Sequence, residues 1–233
     1  MRCGVLLSGG KDSVYAWWKA MQNHEISCCI SLISTNEESY MFHTPNMRWT
    51  SLQAESAQTP HILHPTQGIK EEELRDLFAA IRCAKDQYQI DGIVTGAILS
   101  EYQSSRVCAI CDELSLAVLH PLWNIDQDVY MQDLLDQGFS VIISGVASEP
   151  FNETWLGKTL DVETIQTLKE FRRKYHITLT GEGGEYESFV CDAPQFSHRI
   201  VIESSVKEYA NYRGTFRIIS AKLEKTPSVK LAY

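Results

Sequence analysis

The 233-residue sequence predicts an α/β fold, a doubly wound parallel sheet followed by a smaller α+β domain. Three observations predict it. Short apolar runs of strand type alternate with helix-length amphipathic segments through the first 137 residues. A glycine pair, Gly9-Gly10, interrupts the chain between the first apolar run and the first helix, at the kind of strand end where open sheets bind ligands. Past Gly138 the regular alternation fades, which places a domain boundary between 1–137 and 138–233.

The elements follow in order. Val5, Leu6 and Leu7 read as a buried strand and 12–23 as a helix whose Val14, Trp17, Trp18 and Met21 cover one side. The second strand, 26–33, is rich in Ile and Cys. Segment 39–47 is too aromatic and too proline-interrupted for a solvated linker, so it packs over the core or over a ligand. A short helix at 52–57 leads to strand 61–64, stopped by Pro65. Helix 71–88 carries the stripe Leu74, Leu77, Phe78 and Ile81, with Glu71, Glu72 and Glu73 at the positive end of its dipole. Strand 90–98 runs into a polar stretch ending at Gln103, then a helix at 104–116 and a fifth strand at 117–120. Helix 126–137 is ended by Gly138. The second part holds a buried strand at 141–146, a turn at 154–158, a helix at 161–175, a glycine-rich acidic stretch at 180–190, and antiparallel strands at 198–203 and 212–223. Residues 227–233 read as a loose tail.

Composition narrows the function. A hydrophobic content of 44% is normal for a globular protein, and no apolar stretch approaches the ~18 residues of a membrane helix. The chain starts at once with Arg2 and a strand, so a soluble, cytoplasmic protein is expected. A net charge of −9 argues against a broad nucleic-acid footprint, which needs clustered Lys and Arg. Seven cysteines at irregular spacings suit reduced thiols rather than a disulfide framework. Cys108-Ala109-Ile110-Cys111 falls mid-helix with no second pair, so two packed helix cysteines explain it better than zinc or a cluster, which takes about four ligands. No H-x-x-x-H pair is present, which excludes a zinc hydrolase of that pattern.

Ser8-Gly9-Gly10-Lys11-Asp12-Ser13 is a loop of phosphate size at the start of a helix. Its glycines can take positive φ and leave backbone N–H groups free to close on an anion, while Lys11 adds charge and Ser8 and Ser13 add hydroxyls. It is not a Walker A loop, because Val5 and Asp12 stand where that motif needs Gly and Ser/Thr, and it lacks G-x-G-x-x-G. S-G-G-x-D-S resembles the PP-loop of the ATP pyrophosphatase superfamily, of HUP-like fold. That resemblance implies a grip on the β- and γ-phosphates of ATP, attack at the α-phosphate, and release of pyrophosphate.

A second signal is Gly181-Glu182-Gly183-Gly184-Glu185-Tyr186-Glu187, three carboxylates among three glycines, running straight into Phe189-Val190. A solvated acidic turn is the plain reading. Carboxylates that close together also suit Mg²⁺, an ammonium ion or a cationic substrate group.

Together with Ser39 to Thr44, the run Gly96 to Gln103 with Arg106, Pro121-Leu122-Trp123, Trp155 to Lys158 and Asp192-Ala193-Pro194, these motifs resemble the diphthine–ammonia ligase family over nearly the whole chain. Eukaryotic members of the family carry extra C-terminal domains, so the chain is similar to the short form of archaea and some bacteria. The resemblance implies ATP-dependent amidation of diphthine on translation elongation factor 2, with ATP and Mg²⁺ required, ammonium as nitrogen source, and no membrane or nucleic-acid partner. A homodimer is compatible with the sequence. It implies ATP contacts at Ser8, Gly9, Gly10, Lys11, Asp12, Ser13, Ser34, Gly96 and Ala97, with Asp12 also placing the metal. Acceptor contacts are implied at Tyr40, His43, Glu101, Tyr102, Gln103, Arg106, Trp155, Gly183, Gly184, Glu185, Tyr186 and Glu187, and catalytic roles at Lys11, Asp12, Glu182 and Glu185. Two enzyme readings stand beside it: a PP-loop ligase for another carboxylate, and a tRNA-modifying PP-loop enzyme, against which the acidic charge weighs. A nucleotide-sensing module without turnover is a third, outside the enzymes.

Overall fold

The computed structural model describes residues 1–34, 46–69 and 72–225. Five parallel strands form the first sheet: β1 (Arg2–Leu6), β2 (Glu25–Ser34), β3 (His61–Thr66), β4 (Gly92–Val94) and β5 (Ala117–Leu119), in the order β3-β2-β1-β4-β5. The chain therefore leaves β1 in one direction and later returns to its other side. That reversal opens a crevice at the carboxyl ends of β1 and β4.

Helices cover both faces, as the alternation predicts. α1 (Lys11–Met21) lies on one, with α2 (Thr50–Ser56) after a 3-10 turn, Met47–Trp49. On the other, α3 (Glu72–Tyr88) and α4 (Glu101–Glu113) bury Leu77, Ile81, Val107 and Ile110 against Cys28, Ile30 and Ile93. α5 (Gln127–Asp136) then leads to a four-stranded antiparallel sheet, β7-β6-β9-β8, made of β6 (Ser140–Val146), β7 (Tyr186–Asp192), β8 (His198–Ala210) and β9 (Arg213–Lys225), with α6 (Val162–Tyr175) beside it. One apolar cluster runs from Val5 and Trp17 through Tyr130 and Leu134 to Ile143, Phe189 and Ile218. α1 is thus packed between the two sheets, and its first turn meets β7 as well as β1. Truncating Trp17, 1% exposed, would cost about 3–5 kcal/mol.

Several boundaries differ from the sequence reading, each for a local reason. The third strand continues through Pro65, which pairs with Ile33, because β3 is an edge strand where a missing N–H is tolerated. The fourth strand stops at Val94 rather than 98, because Gly96 passes under α1 so closely that a Cβ there would lie 2.7 Å from the Asp12 carbonyl carbon and the Ser13 nitrogen. The helix expected at 104–116 begins at Glu101, capped by Ser100, whose hydroxyl accepts from the Gln103 N–H at 3.3 Å. Glu101, Tyr102 and Gln103 are therefore its first turn. The final strands are longer than expected, 13 residues each, joined at Asn211 and Tyr212, which take positive φ. β7 is a strand that the glycine-rich reading of 180–190 does not include. Tyr40, His43 and the tail at 227–233 lie outside the described residues. No described helix is long and apolar enough to cross a membrane.

Candidate active site

The glycine loop closes on itself and is then clamped from outside. Gly9 takes φ +81, the left-handed region that glycine occupies without strain, and Gly10 precedes the first residue of α1. Ser13 Oγ accepts from the Ser8 N–H at 3.2 Å and donates to the Gly10 carbonyl at 3.1 Å. The Gly9 carbonyl accepts from Val190 N–H and from Gln53 Nε2, each at 3.0 Å, and Gln53 Nε2 also donates to the Val190 carbonyl at 2.8 Å. Ser188 Oγ accepts from the Lys11 N–H at 3.1 Å. The sequence reading missed Gln53, Ser188 and Val190, since the only signal for them is proximity between residues 44 to 181 positions apart, Gln53 to Gly9 and Val190 to Gly9 being the extremes.

Lys11 is 2% exposed, and a buried ammonium must be surrounded by acceptors. Its Nζ lies 3.0 Å from Asp12 Oδ2, donates to the Thr180 carbonyl, and sits 5.3 Å above the Tyr186 ring. Asp12 Oδ1 accepts from the Tyr130 hydroxyl at 2.9 Å. Burial first, and the Asp12 charge second, hold the Tyr130 phenol well above its usual pKa, so it remains a donor.

Opposite this loop, the three glutamates stand in three different states. Glu182 has its pKa raised by burial and by the charge of Asp12, which outweigh the opposing effect of Lys11, and its Oε2 accepts from the Leu99 N–H at 3.3 Å. Glu185 spends both oxygens on Thr178, at 2.6 Å from its N–H and 2.9 Å from its hydroxyl. Glu187 is pushed up to about 7 by burial.

Between these parts lies a cavity of about 390 Å³, within the range of small-molecule sites. The glycine loop and first turn of α1 line it with Ser8, Gly10, Lys11, Asp12 and Ser13, the β4–α4 turn with Gly96 and Ala97, α4 with Gln103, the turn before β7 with Glu182 and Gly184, and β7 with Tyr186 and Glu187. Thr95, Ser100, Thr180 and Ser188, which the sequence reading did not single out, also line it. Other expected contacts are placed elsewhere. Gly9 and Glu185 lie behind the wall as supports, exposed Gly183 and Glu101 lie off the lining, and Ser34 is half-buried at the end of β2. Trp155 is a core residue, 5% exposed, with ring centroids 5.0 Å from Phe151 and 5.2 Å from Phe171. Arg106 lies with its guanidinium carbon 3.4 Å from the Tyr102 ring centroid, both on α4 away from the cavity lining.

All seven cysteines are free thiols. Cys111 is buried and pushed up to about 12, chiefly by burial, which suits a packing role. Among the described residues no group of three or more His, Cys, Asp or Glu is arranged to hold a metal ion. Mg²⁺ asks for less, often one or two carboxylates with phosphate oxygens completing the shell. Asp12, half-buried on the cavity wall and close enough to raise Glu182, fits that demand.

Fold and loop together are those of an ATP-binding protein of the PP-loop type. The sequence profile of the diphthamide synthase N-terminal domain matches residues 1–118, and that of the diphthamide synthase C-terminal domain matches 126–223. Diphthine–ammonia ligase of Mus musculus is 33% identical over 225 residues, covering 88% of this chain and 84% of its own. The Danio rerio protein of the same name is 33% identical over 227 residues, covering 88% of each chain. That of Schizosaccharomyces pombe is 29% identical, and the match covers 95% of this chain but 39% of the yeast one. The chain belongs to the diphthamide synthase family and is an ATP-dependent ligase of the diphthine–ammonia ligase type. The near-collinear vertebrate relatives show that the short architecture is not confined to archaea and bacteria.

Proposed function

We propose that this chain adenylates the carboxylate of diphthine on translation elongation factor 2 and transfers ammonia to it, giving diphthamide, AMP and pyrophosphate, in the cytoplasm. The observation that carries the reading is a single cavity with a cationic phosphate loop on one wall and carboxylates on the other. A carboxylate is a poor acyl donor until its oxygen leaves as AMP. Lys11 and the positive end of the α1 dipole would stabilise departing pyrophosphate, and Asp12 would hold Mg²⁺, which supplies charge neutralisation on the phosphates. Gly96 and Ala97 would border the nucleotide. Glu182 and the face of Tyr186 would take the trimethylammonium group, turning the acceptor carboxylate toward the α-phosphate. In this reading 1–137 binds ATP and 138–233 binds the acceptor.

The test is the product pair and the acceptor mass. Turnover with ATP, Mg²⁺, ammonium and the diphthine-bearing factor should yield AMP and pyrophosphate, and the factor should become lighter by about one dalton, as a hydroxyl is replaced by an amine. ADP and phosphate as products would sink the reading. Lys11→Ala should lose about 1.5–3 kcal/mol of transition-state stabilisation, roughly 10- to 150-fold in kcat/KM for ATP.

A further inference from the structure

Four carboxylates surround or border the cavity, and the structure has already spent three of them. Asp12 is shared by Lys11 and Tyr130, Glu185 is held by Thr178, and Glu182 accepts from Leu99. Glu187 Oε2 is shielded from solvent and has no hydrogen-bond partner among the described residues. The hydroxyl of Thr180, a residue 1% exposed, is in the same state. Both residues belong to the lining of the same cavity. On the neighbouring strand Gly145 is paired with Glu187, and a Cβ there would lie 3.3 Å from the Glu187 Cβ and 3.5 Å from Oε2, so a glycine keeps the flank of the carboxylate clear. A buried polar atom without a partner is destabilising, and two in residues of one cavity call for a ligand that brings donors.

We propose that Glu187 Oε2 and the Thr180 hydroxyl form the ammonium site of this enzyme, with Glu187 taking the proton that frees the nucleophile. The assignment rests on the ligase reading above. Ammonium is small, positive and made only of donors, which matches an ionised carboxylate and a hydroxyl oxygen and nothing bulkier. Glu187 takes one proton from ammonium. The nitrogen lone pair then attacks the acyl carbon of the adenylate, the C–N bond forms, and the C–O bond to AMP breaks with its electron pair leaving on the phosphate. The new nitrogen loses its extra proton to solvent, and Glu187 returns its own, so acyl adenylate and ammonium become amide, AMP and two protons. Burial places Glu187 near 7, a value suited to accepting and releasing a proton at neutral pH. The titratable groups that share its cavity are Glu182, Tyr186, Lys11 and Asp12, burial is the one cause of its raised pKa, and on β6 it is paired with Gly145.

The experiment separates the two half-reactions in the full chain, using diphthine-bearing elongation factor or any carboxylate that supports pyrophosphate–ATP exchange with the wild type. Glu187→Gln should continue the exchange, while amide formation from ammonium at pH 7 falls about 100-fold or more. Raising the pH, which supplies free ammonia, should recover part of that loss. Hydroxylamine, neutral at pH 7, should still give hydroxamate. Thr180→Val, which keeps the carbonyl that holds Lys11, should raise the ammonium KM by about tenfold and leave its pH profile in place. If hydroxamate and amide fall together in Glu187→Gln, or if ammonium saturation is unchanged in both variants, the site is overturned. A wild type that neither exchanges pyrophosphate with any carboxylate nor forms amide overturns the ligase reading, and the site with it.

Discussion

The two glycine-rich loops that face each other across the cavity handle charge in opposite ways. In the loop from Ser8 to Ser13, each charged atom is matched within the fold, Lys11 by Asp12 and the Thr180 carbonyl, Asp12 by Lys11 and Tyr130. The stretch from Gly181 to Glu187 divides its carboxylates, binding Glu185 fully, Glu182 partly, and leaving Glu187 Oε2 without a partner among the described residues. The first loop is a preorganised cradle, in which donors need not reorganise when charge develops. The second stores an unmet demand for hydrogen-bond donors.

The contrast can be broken most strongly at Glu187. Its folded carboxyl is raised from 4.5 to about 7 by burial, so the folded state holds a proton that the unfolded chain has already released. Its favourable contribution is therefore complete below the unfolded value and is lost as pH rises through about 7. Glu187→Gln does not titrate, so its stability relative to the wild type should grow by about 3 kcal/mol between pH 4 and pH 8. Urea denaturation of both proteins across that range measures the difference, and a flat difference would show the carboxylate to be satisfied.

A smaller effect is expected where the cradle is clamped. Gln53→Leu keeps the volume but removes both donations, to Gly9 and to Val190, and should cost about 1–3 kcal/mol. Calorimetry with a non-hydrolysable ATP analogue should show weaker binding, because the carbonyl fixed by Gln53 belongs to the loop itself. ATP affinity unchanged alongside the loss of stability would mean that β7 alone holds the loop.

The smallest effect is expected at Glu185. Glu185→Gln preserves an acceptor for the Thr178 N–H and exchanges one charged hydrogen bond for a neutral one, at a cost of about 1 kcal/mol. ATP binding should persist, and amidation should fall less than in Glu182→Gln, whose carboxylate reaches the cavity. Equal losses in the two variants would place Glu185 in the chemistry rather than behind it.

Much of the cradle was legible because its determinants are neighbours in the chain. Gly9, Lys11 and Ser13 lie within five residues, and the switch from strand to helix follows from the Val5 to Leu7 run and the Val14, Trp17 spacing. Trp155 shows the limit. The family resemblance implied an acceptor contact there, but Phe151 and Phe171, one near in sequence and one on α6, enclose it. Tyr102 and Arg106 repeat the lesson on α4, where four-residue helical spacing brings them to each other.

By itself the sequence determined the parallel sheet, the phosphate loop, and the glycine-rich acidic stretch, since period, turn chemistry and helix caps act over a few residues. Only the tertiary structure decided what each charge in those motifs does. Gln53 meets Val190 across 137 positions, Lys11 meets Ser188 across 177, and Glu182, Glu185 and Glu187 part ways because Leu99 donates to the first, Thr178 to the second, and no described residue to Oε2 of the third. Desolvation is the physical reason. A carboxylate in water keeps its charge whatever its neighbours, whereas one taken out of water is fixed in protonation and role by the donors around it, and folding chooses those donors.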